Sequence, residues 1–295
     1  MKNACSRTAV AAVIVVLSAS AAQAADCDRA CLGGMITKYV DAIVAHNPQA
    51  LPLAPNVRFT EDSRELRLGD GVWKTVTRAG TFRQDYLDVR RGIAASHVEL
   101  YEDVAQLQYS VILRIVDQKI TGIETLVNRV TKESRFQPDS SLAKPLRKMN
   151  DPVPSGKRMS REDLIKVALT YAEGLRIGNF LDATPFAKDA YRVENGMFIA
   201  GEGCPRANCP GMYTQRVILH PGIVASVAAV DEEMGLVLLW MNFGYTNSYG
   251  ANNALVTFEA FKVSGGKIGS VNAFFKGLPI STARFWPSSD SIPRR

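Results

Sequence analysis

Histidine is scarce in this chain, and so is every arrangement of it that holds a metal. His46, His97 and His220 are the three histidines. No two stand at metal-ligand spacing and none adjoins a cysteine pair, so no metal is expected. Three catalytic signatures are also missing: the Gly-x-Ser-x-Gly nucleophile elbow, the Gly-x-x-x-x-Gly-Lys phosphate loop and the His-Glu-x-x-His helix. Gly69-Asp70-Gly71 and Gly201-Glu202-Gly203 are isolated Gly-x-Gly pairs, without the third glycine and following helix of a dinucleotide site. Aromatic residues are lacking where nucleic acid would need them. From Arg129 to Arg161 nine Lys or Arg face three Asp or Glu, yet Phe136 is the sole ring on which a base could stack. These absences leave cofactor-free acid–base chemistry on a small hydrophobic or aromatic molecule, with no nucleic acid among the partners.

Long apolar runs are lacking too. Ala9 to Leu17 is too short to span a bilayer, follows Lys2 and Arg7, and leads to Ala22-Gln23-Ala24. That pattern predicts a signal peptide over residues 1–24, cleaved after Ala24, hence a periplasmic or secreted protein without stable membrane insertion. Cleavage removes Cys5 and two positive charges from a formal +6. Four cysteines remain. In an oxidising compartment an even count favours disulfides, and the short separations favour Cys27–Cys31 and Cys204–Cys209 over the other two pairings.

An internal repeat is what the chain does have. Leu32, Met35, Ile36, Tyr39, Val40 and Ile43 mark one face of a helix, and Leu164, Val167, Ala168, Tyr171, Ala172 and Leu175 repeat the spacing. Phe59-Thr60-Glu61-Asp62 and Arg192-Val193-Glu194-Asn195 follow their helices at similar distances. The stretches Lys119–Glu124 and Lys267–Asn272 close the two copies. Helices are predicted over Ala30–Ala45 and after Ser160, which with Asp163 makes a capping box. Strands are expected at Val57–Glu61, Thr81–Asp88, Ala95–Glu102, Gln106–Val116 and Lys119–Val130. In the second copy they are expected at Arg216–Leu219, Ile223–Val230, Leu236–Phe243, Leu255–Val263 and Ile268–Phe275. The segment between the copies carries Pro138, Pro145, Pro152 and Pro154 and reads as a linker or a surface strap.

The string Leu51-Pro52-Leu53-Ala54-Pro55-Asn56-Val57-Arg58-Phe59-Thr60-Glu61, then Gly69-Asp70-Gly71-Val72-Trp73, then Lys119–Thr125 with Arg129, resembles an uncharacterised bacterial and fungal branch of the nuclear transport factor 2-like (SnoaL-like) superfamily. The match is good over 27–130 and looser over 160–277. The resemblance implies an α+β fold of two tandem cone-shaped domains, each a curved antiparallel sheet wrapped around an N-terminal helix, with an apolar cavity. The expected boundaries are 25–135 for the first domain, 136–159 for a proline-rich basic linker, 160–280 for the second domain and 281–295 for a tail. A superfamily that hosts isomerases, lyases, hydratases and inert binders does not fix a reaction.

Polar groups inside such a cavity are the candidates, because burial raises a carboxylate pKa toward neutrality. Glu124, Glu61 and His97 are the expected catalytic groups. Tyr39, Trp73, Arg114, Tyr171, Glu194 and Tyr245 are the expected ligand-binding ones, with the working cavity in the first copy. Each has a structural alternative. Glu124 can pair with Arg114 or Arg129. Glu61 and Glu194 can accept backbone N–H bonds at strand ends. Tyr39, Tyr171 and Trp73 can be core, and Tyr245 can belong to a plain turn. Asn272 stands where the first copy has Glu124. Two function classes follow: a cofactor-independent lyase, isomerase or hydratase, and a non-catalytic ligand-binding or protein-interaction module.

Overall fold

The computed structural model describes residues 27–138, 146–246 and 248–290. The expected signal peptide and its cleavage site lie outside the described residues. Helix α1 (Arg29–Val44) buries Leu32, Met35, Ile36, Tyr39 and Ile43 along one stripe, and the Asp28 carboxylate caps it by accepting the Cys31 N–H at 2.8 Å. A Cys27–Cys31 disulfide, with Cα atoms 5.2 Å apart, closes this first turn. The strands β1 (Leu53–Glu61), β2 (Arg64–Leu66), β3 (Arg78–Asp88), β4 (Ile93–Glu102), β5 (Ala105–Val116) and β6 (Lys119–Arg129) follow. Helix α2 (Arg161–Ile177) starts at Ser160, whose hydroxyl accepts the Asp163 N–H at 3.1 Å. After it come the short α3 (Phe180–Ala183), β7 (Phe186–Glu194), β8 (Met197–Gly201), β9 (Val224–Asp231), β10 (Leu236–Asn242), β11 (Asn253–Ser264) and β12 (Lys267–Pro279). The second disulfide, Cys204–Cys209, lies in the loop between β8 and β9.

The structure corrects the expected fold class. The protein is mostly β, at 43% strand, with two six-stranded sheets and three helices among the described residues. Neither sheet is antiparallel throughout. The strand orders are β2-β1-β6-β5-β4-β3 and β8-β7-β12-β11-β10-β9, and the β1–β6 and β7–β12 pairs are parallel. Nor is a sheet wrapped around a helix: α1 and α2 each lie on one face of a sheet. A period of two reports which face a side chain takes and is silent on strand direction, which is why the parallel pairs escaped. Arg216–Leu219 forms no strand, whereas β2 and β8 were not anticipated.

The opposite faces of the two sheets pack on each other. Phe82, Tyr86, Ile93, Ala95, Ile112 and Leu126 of the first meet Tyr191, Val193, Ala228, Leu238, Trp240, Phe258 and Phe274 of the second. The layers therefore run α1, sheet, sheet, α2. Charges also tie the halves together. Arg161 and Asp88, both essentially unexposed, are joined at 2.9 and 2.5 Å, and Asp290 bonds Arg161 Nε at 2.6 Å. Where it is described, the connecting segment is largely exposed, and Leu146 and Met149 anchor it in the inter-sheet core.

Candidate functional site

Glu61 ends β1 on the face that α1 covers. It accepts the Val72 N–H at 2.9 Å. Gly71 sits at φ +65° just before that donor, and a Cβ there would come within 2.6 Å of the carboxylate, so the turn demands glycine. Burial raises the Glu61 pKa, and the Val72 bond restrains the rise. Tyr39 and Trp73 fill the space beside it. The Tyr39 hydroxyl stands 2.7 Å from that of Tyr109 and accepts the Trp73 indole N–H at 3.2 Å, and both Tyr39 and Trp73 are buried. This is a satisfied, packed interior.

Glu124, His97 and Arg114 are on the other face, toward the second sheet. For Glu124 the cause is a β-bulge. Arg114 pairs with Gly122 and Ile115 with Ile120, leaving Thr121 extra. Ile120 therefore packs under α1, while Glu124 shares its face with Leu126. Glu124 is gripped by Arg284, with Nε and Nη2 donating at 2.8 and 2.7 Å, and Arg114 stands 3.5 Å away. Arg129 pairs instead with Glu102, at 2.7 Å. His97 is fully buried, 3.0 Å from the Tyr86 hydroxyl and 3.1 Å from the Asn272 amide, and its ring stacks on Phe274. Burial drives its pKa down to about 3. The structure thus separates the three expected catalytic groups: Glu61 under α1, Glu124 in an ion pair, and His97 neutral between the sheets.

The second half brings polar groups together instead. Tyr171 of α2, Arg192 and Glu194 of β7, and Glu259 of β11 meet on the face that α2 covers. Arg192 Nη1 donates to the Tyr171 hydroxyl at 3.1 Å and stands 3.4 Å from Glu194. Glu259 is 2% exposed, and among the described residues its Oε1 has no hydrogen-bond partner. Burial and the neighbouring Glu194 carry its pKa up to about 8, against the pull of Arg192 and Tyr171. Beyond them His220 stacks on Tyr249, with Nε2 3.3 Å from its hydroxyl, and burial lowers the His220 pKa to about 4.

Register shows what changed between the halves. Glu61 pairs with Thr125, which pairs with Val111; Glu194 pairs with Ala273, which pairs with Glu259. Glu259 therefore occupies the place of Val111. By the same ladder Phe59 and Arg192 correspond, through Ile123 and Val271. An apolar pair in one half is an acid and a base in the other. Sequence reasoning singled out Tyr171 and Glu194 but missed Arg192 and Glu259. The available signal was one acid in the inward row Thr257, Glu259, Phe261, Val263 of β11, which carries no other charge.

Tyr245 lies apart, half-exposed, on a cleft of about 560 Å³ that Trp240, Arg284 and Trp286 also line. Among the described residues no group of three or more His, Cys, Asp or Glu side chains is placed to hold a metal, and no helix is long and apolar enough to cross a membrane.

A family model described as a domain of unknown function (DUF8021) matches residues 157–275, the part of the chain that holds α2 and most of the second sheet. No curated protein matches. Among solved structures, a de novo designed protein with a curved β-sheet is similar at 19% identity and a TM-score of 0.30, over 34% of this chain and 88% of that one. A putative ketosteroid isomerase from Kribbella flavida DSM 17836 is similar at 16% identity and a TM-score of 0.27, over 38% of this chain and 93% of that one. Neither likeness bears on what this chain does.

Proposed function

We propose that this is an exported protein of two tandem nuclear transport factor 2-like units, and that its second unit handles a small hydrophobic molecule by cofactor-independent acid–base chemistry. Two sheets of identical strand order, each preceded by a helix and each bulged at the same place on its last strand pair, support the tandem reading. Two local disulfides support export. The observation that carries the chemistry is Glu259, a carboxyl poised near neutrality with an uncommitted oxygen.

In that reading Glu259 gives or takes the proton. A pKa close to the working pH maximises both its correct protonation state and the driving force for transfer. Arg192 supplies a fixed positive charge for an oxyanion that forms when a proton leaves carbon, and its own bond to Tyr171 orients it. Glu194 balances the Arg192 charge. The apolar wall of Phe261, Met241 and Leu239 excludes water.

The test is proton exchange. The protein is incubated in D2O with a panel of ring ketones and enones, and deuterium uptake beside the carbonyl is followed by NMR. Catalysed exchange that Glu259→Gln abolishes supports the lyase or isomerase reading. Saturable binding without exchange supports a ligand-binding module. That second reading is favoured by Arg192, whose ion pair with Glu194 and bond to Tyr171 already engage Nη1.

A further inference from the structure

A cleft lies on the opposite face of the second sheet from Glu259. It is the cleft of about 560 Å³ bounded by Val224 and Ser226 of β9, Trp240 and Asn242 of β10, Tyr245, and the C-terminal segment from Ile280 to Trp286. Its aromatic walls are fixed. Gly122 of β6 lacks the Cβ that would come within 2.5 Å of the Trp286 ring, so bare backbone seats that indole. The Trp286 N–H donates to Thr60 Oγ1 at 2.7 Å, and the guanidiniums of Arg114 and Arg58 stand 4.3 and 5.0 Å from the ring centroid. Trp240 is almost wholly buried and Tyr245 is half-exposed at the mouth.

The charge beside this wall is unbalanced. Arg58 has its own partner in Glu65, at 2.9 Å. Arg284 and Arg114 share the single carboxylate of Glu124. Among the described residues one positive charge is left over, in a place where burial and the nearby Arg284 already bring the Arg114 pKa down to about 10. Of the five N–H donors of Arg284, four are committed among the described residues: two to Glu124, one to Ser226 Oγ and one to the Val227 carbonyl.

We propose that this cleft binds a planar aromatic carboxylate, its ring held between Trp240, Tyr245 and Trp286 and its anionic group compensating the shared Arg284–Arg114 charge. The site is independent of the chemistry assigned to Glu259.

The probe is 2-naphthoate, with the neutral 2-naphthamide as its control, and the readout is the indole N–H signals of the 15N-labelled full chain. Trp73, Trp240 and Trp286 are the three tryptophans, and two of them line the cleft. Naphthoate is expected to shift the Trp240 and Trp286 signals saturably, to leave Trp73 still, and to bind at least tenfold more tightly than the amide. Gly222→Phe, which fills the cleft, abolishes the shifts. Val224→Glu, an exposed change that adds a negative charge at the rim, weakens naphthoate selectively and carries the test if the first variant does not fold. Glu259→Gln leaves the shifts intact. Equal binding of acid and amide, parallel movement of Trp73, absence of a saturable shift, or shifts that survive both cleft variants would each overturn the proposal.

Discussion

Glu259→Gln is the substitution with the most to say, because its effect depends on pH in a direction the structure dictates. In the folded protein Glu259 keeps its proton until about pH 8. In the unfolded chain an ordinary glutamate releases it near pH 4.3. Between those values the unfolded state binds fewer protons than the folded one, so this group makes stability fall as pH rises. The slope is about 1.4 kcal/mol per pH unit. Glutamine has nearly the same shape and no titration. The stability difference between variant and native protein should therefore grow in favour of the variant by about 3 kcal/mol from pH 5 to pH 7, and level off above pH 8. The buried histidines, His97 and His220, push the opposite way as pH falls below their ordinary range, but they are common to both proteins and cancel in the difference. Urea unfolding at half-unit steps from pH 4.5 to 8.5, disulfides intact, measures it. A difference that stays flat across this range would mean that Glu259 ionises normally and that its burial does not tune it.

Three further outcomes follow from the same contacts. Glu124→Gln leaves Arg284 and Arg114 without their shared carboxylate, and should cost about 3–5 kcal/mol in chemical denaturation, the range for one partner lost from a buried pair. Any activity should then fall only as far as the folded fraction does. Asp88→Asn should cost a similar ~3–5 kcal/mol while unfolding remains one transition, because Asp88, Arg161 and Asp290 join both halves; two separated transitions in calorimetry would contradict that. Tyr39→Phe removes a hydroxyl that touches both Tyr109 and Trp73, and should destabilise by about 1–2 kcal/mol without altering ligand handling in the second half.

Helices α1 and α2, most strands and both disulfides were legible because each rests on local rules. The stripe Leu32, Met35, Ile36, Tyr39 has a helical period, Ser160 and Asp163 form a cap, and the cysteines of each pair are close in sequence. What was hidden depends on partners remote in the chain. Strict alternation along β6 would put Glu124 on the face of Ile120, and the bulge at Thr121 puts the two on opposite faces. Its main partner, Arg284, lies 160 residues away, in a tail that carried no local signal. The first half looked like the working one because it carries the more recognisable motif string. Tyr39 and Trp73 turned out to satisfy each other together with Tyr109, and Glu61 accepts the Val72 N–H. Glu259 was passed over because a lone acid in an apolar strand has no neighbour in sequence to mark it. Its meaning comes from Arg192 and Glu194 across the sheet and Tyr171 across the core.

The central claim is that the buried polar cluster of the second half is the working site and that Glu259 governs it. The direct measurement is the pH profile of ligand-induced thermal stabilisation between pH 6 and 9, using whichever ring ketone or enone raises the melting temperature most. It is run on the native protein, Glu259→Gln and Glu61→Gln. The account predicts that stabilisation changes across about pH 8 in the native protein and in Glu61→Gln, and that this step disappears in Glu259→Gln. A step that survives in Glu259→Gln and vanishes in Glu61→Gln would place the working site under α1 and contradict it.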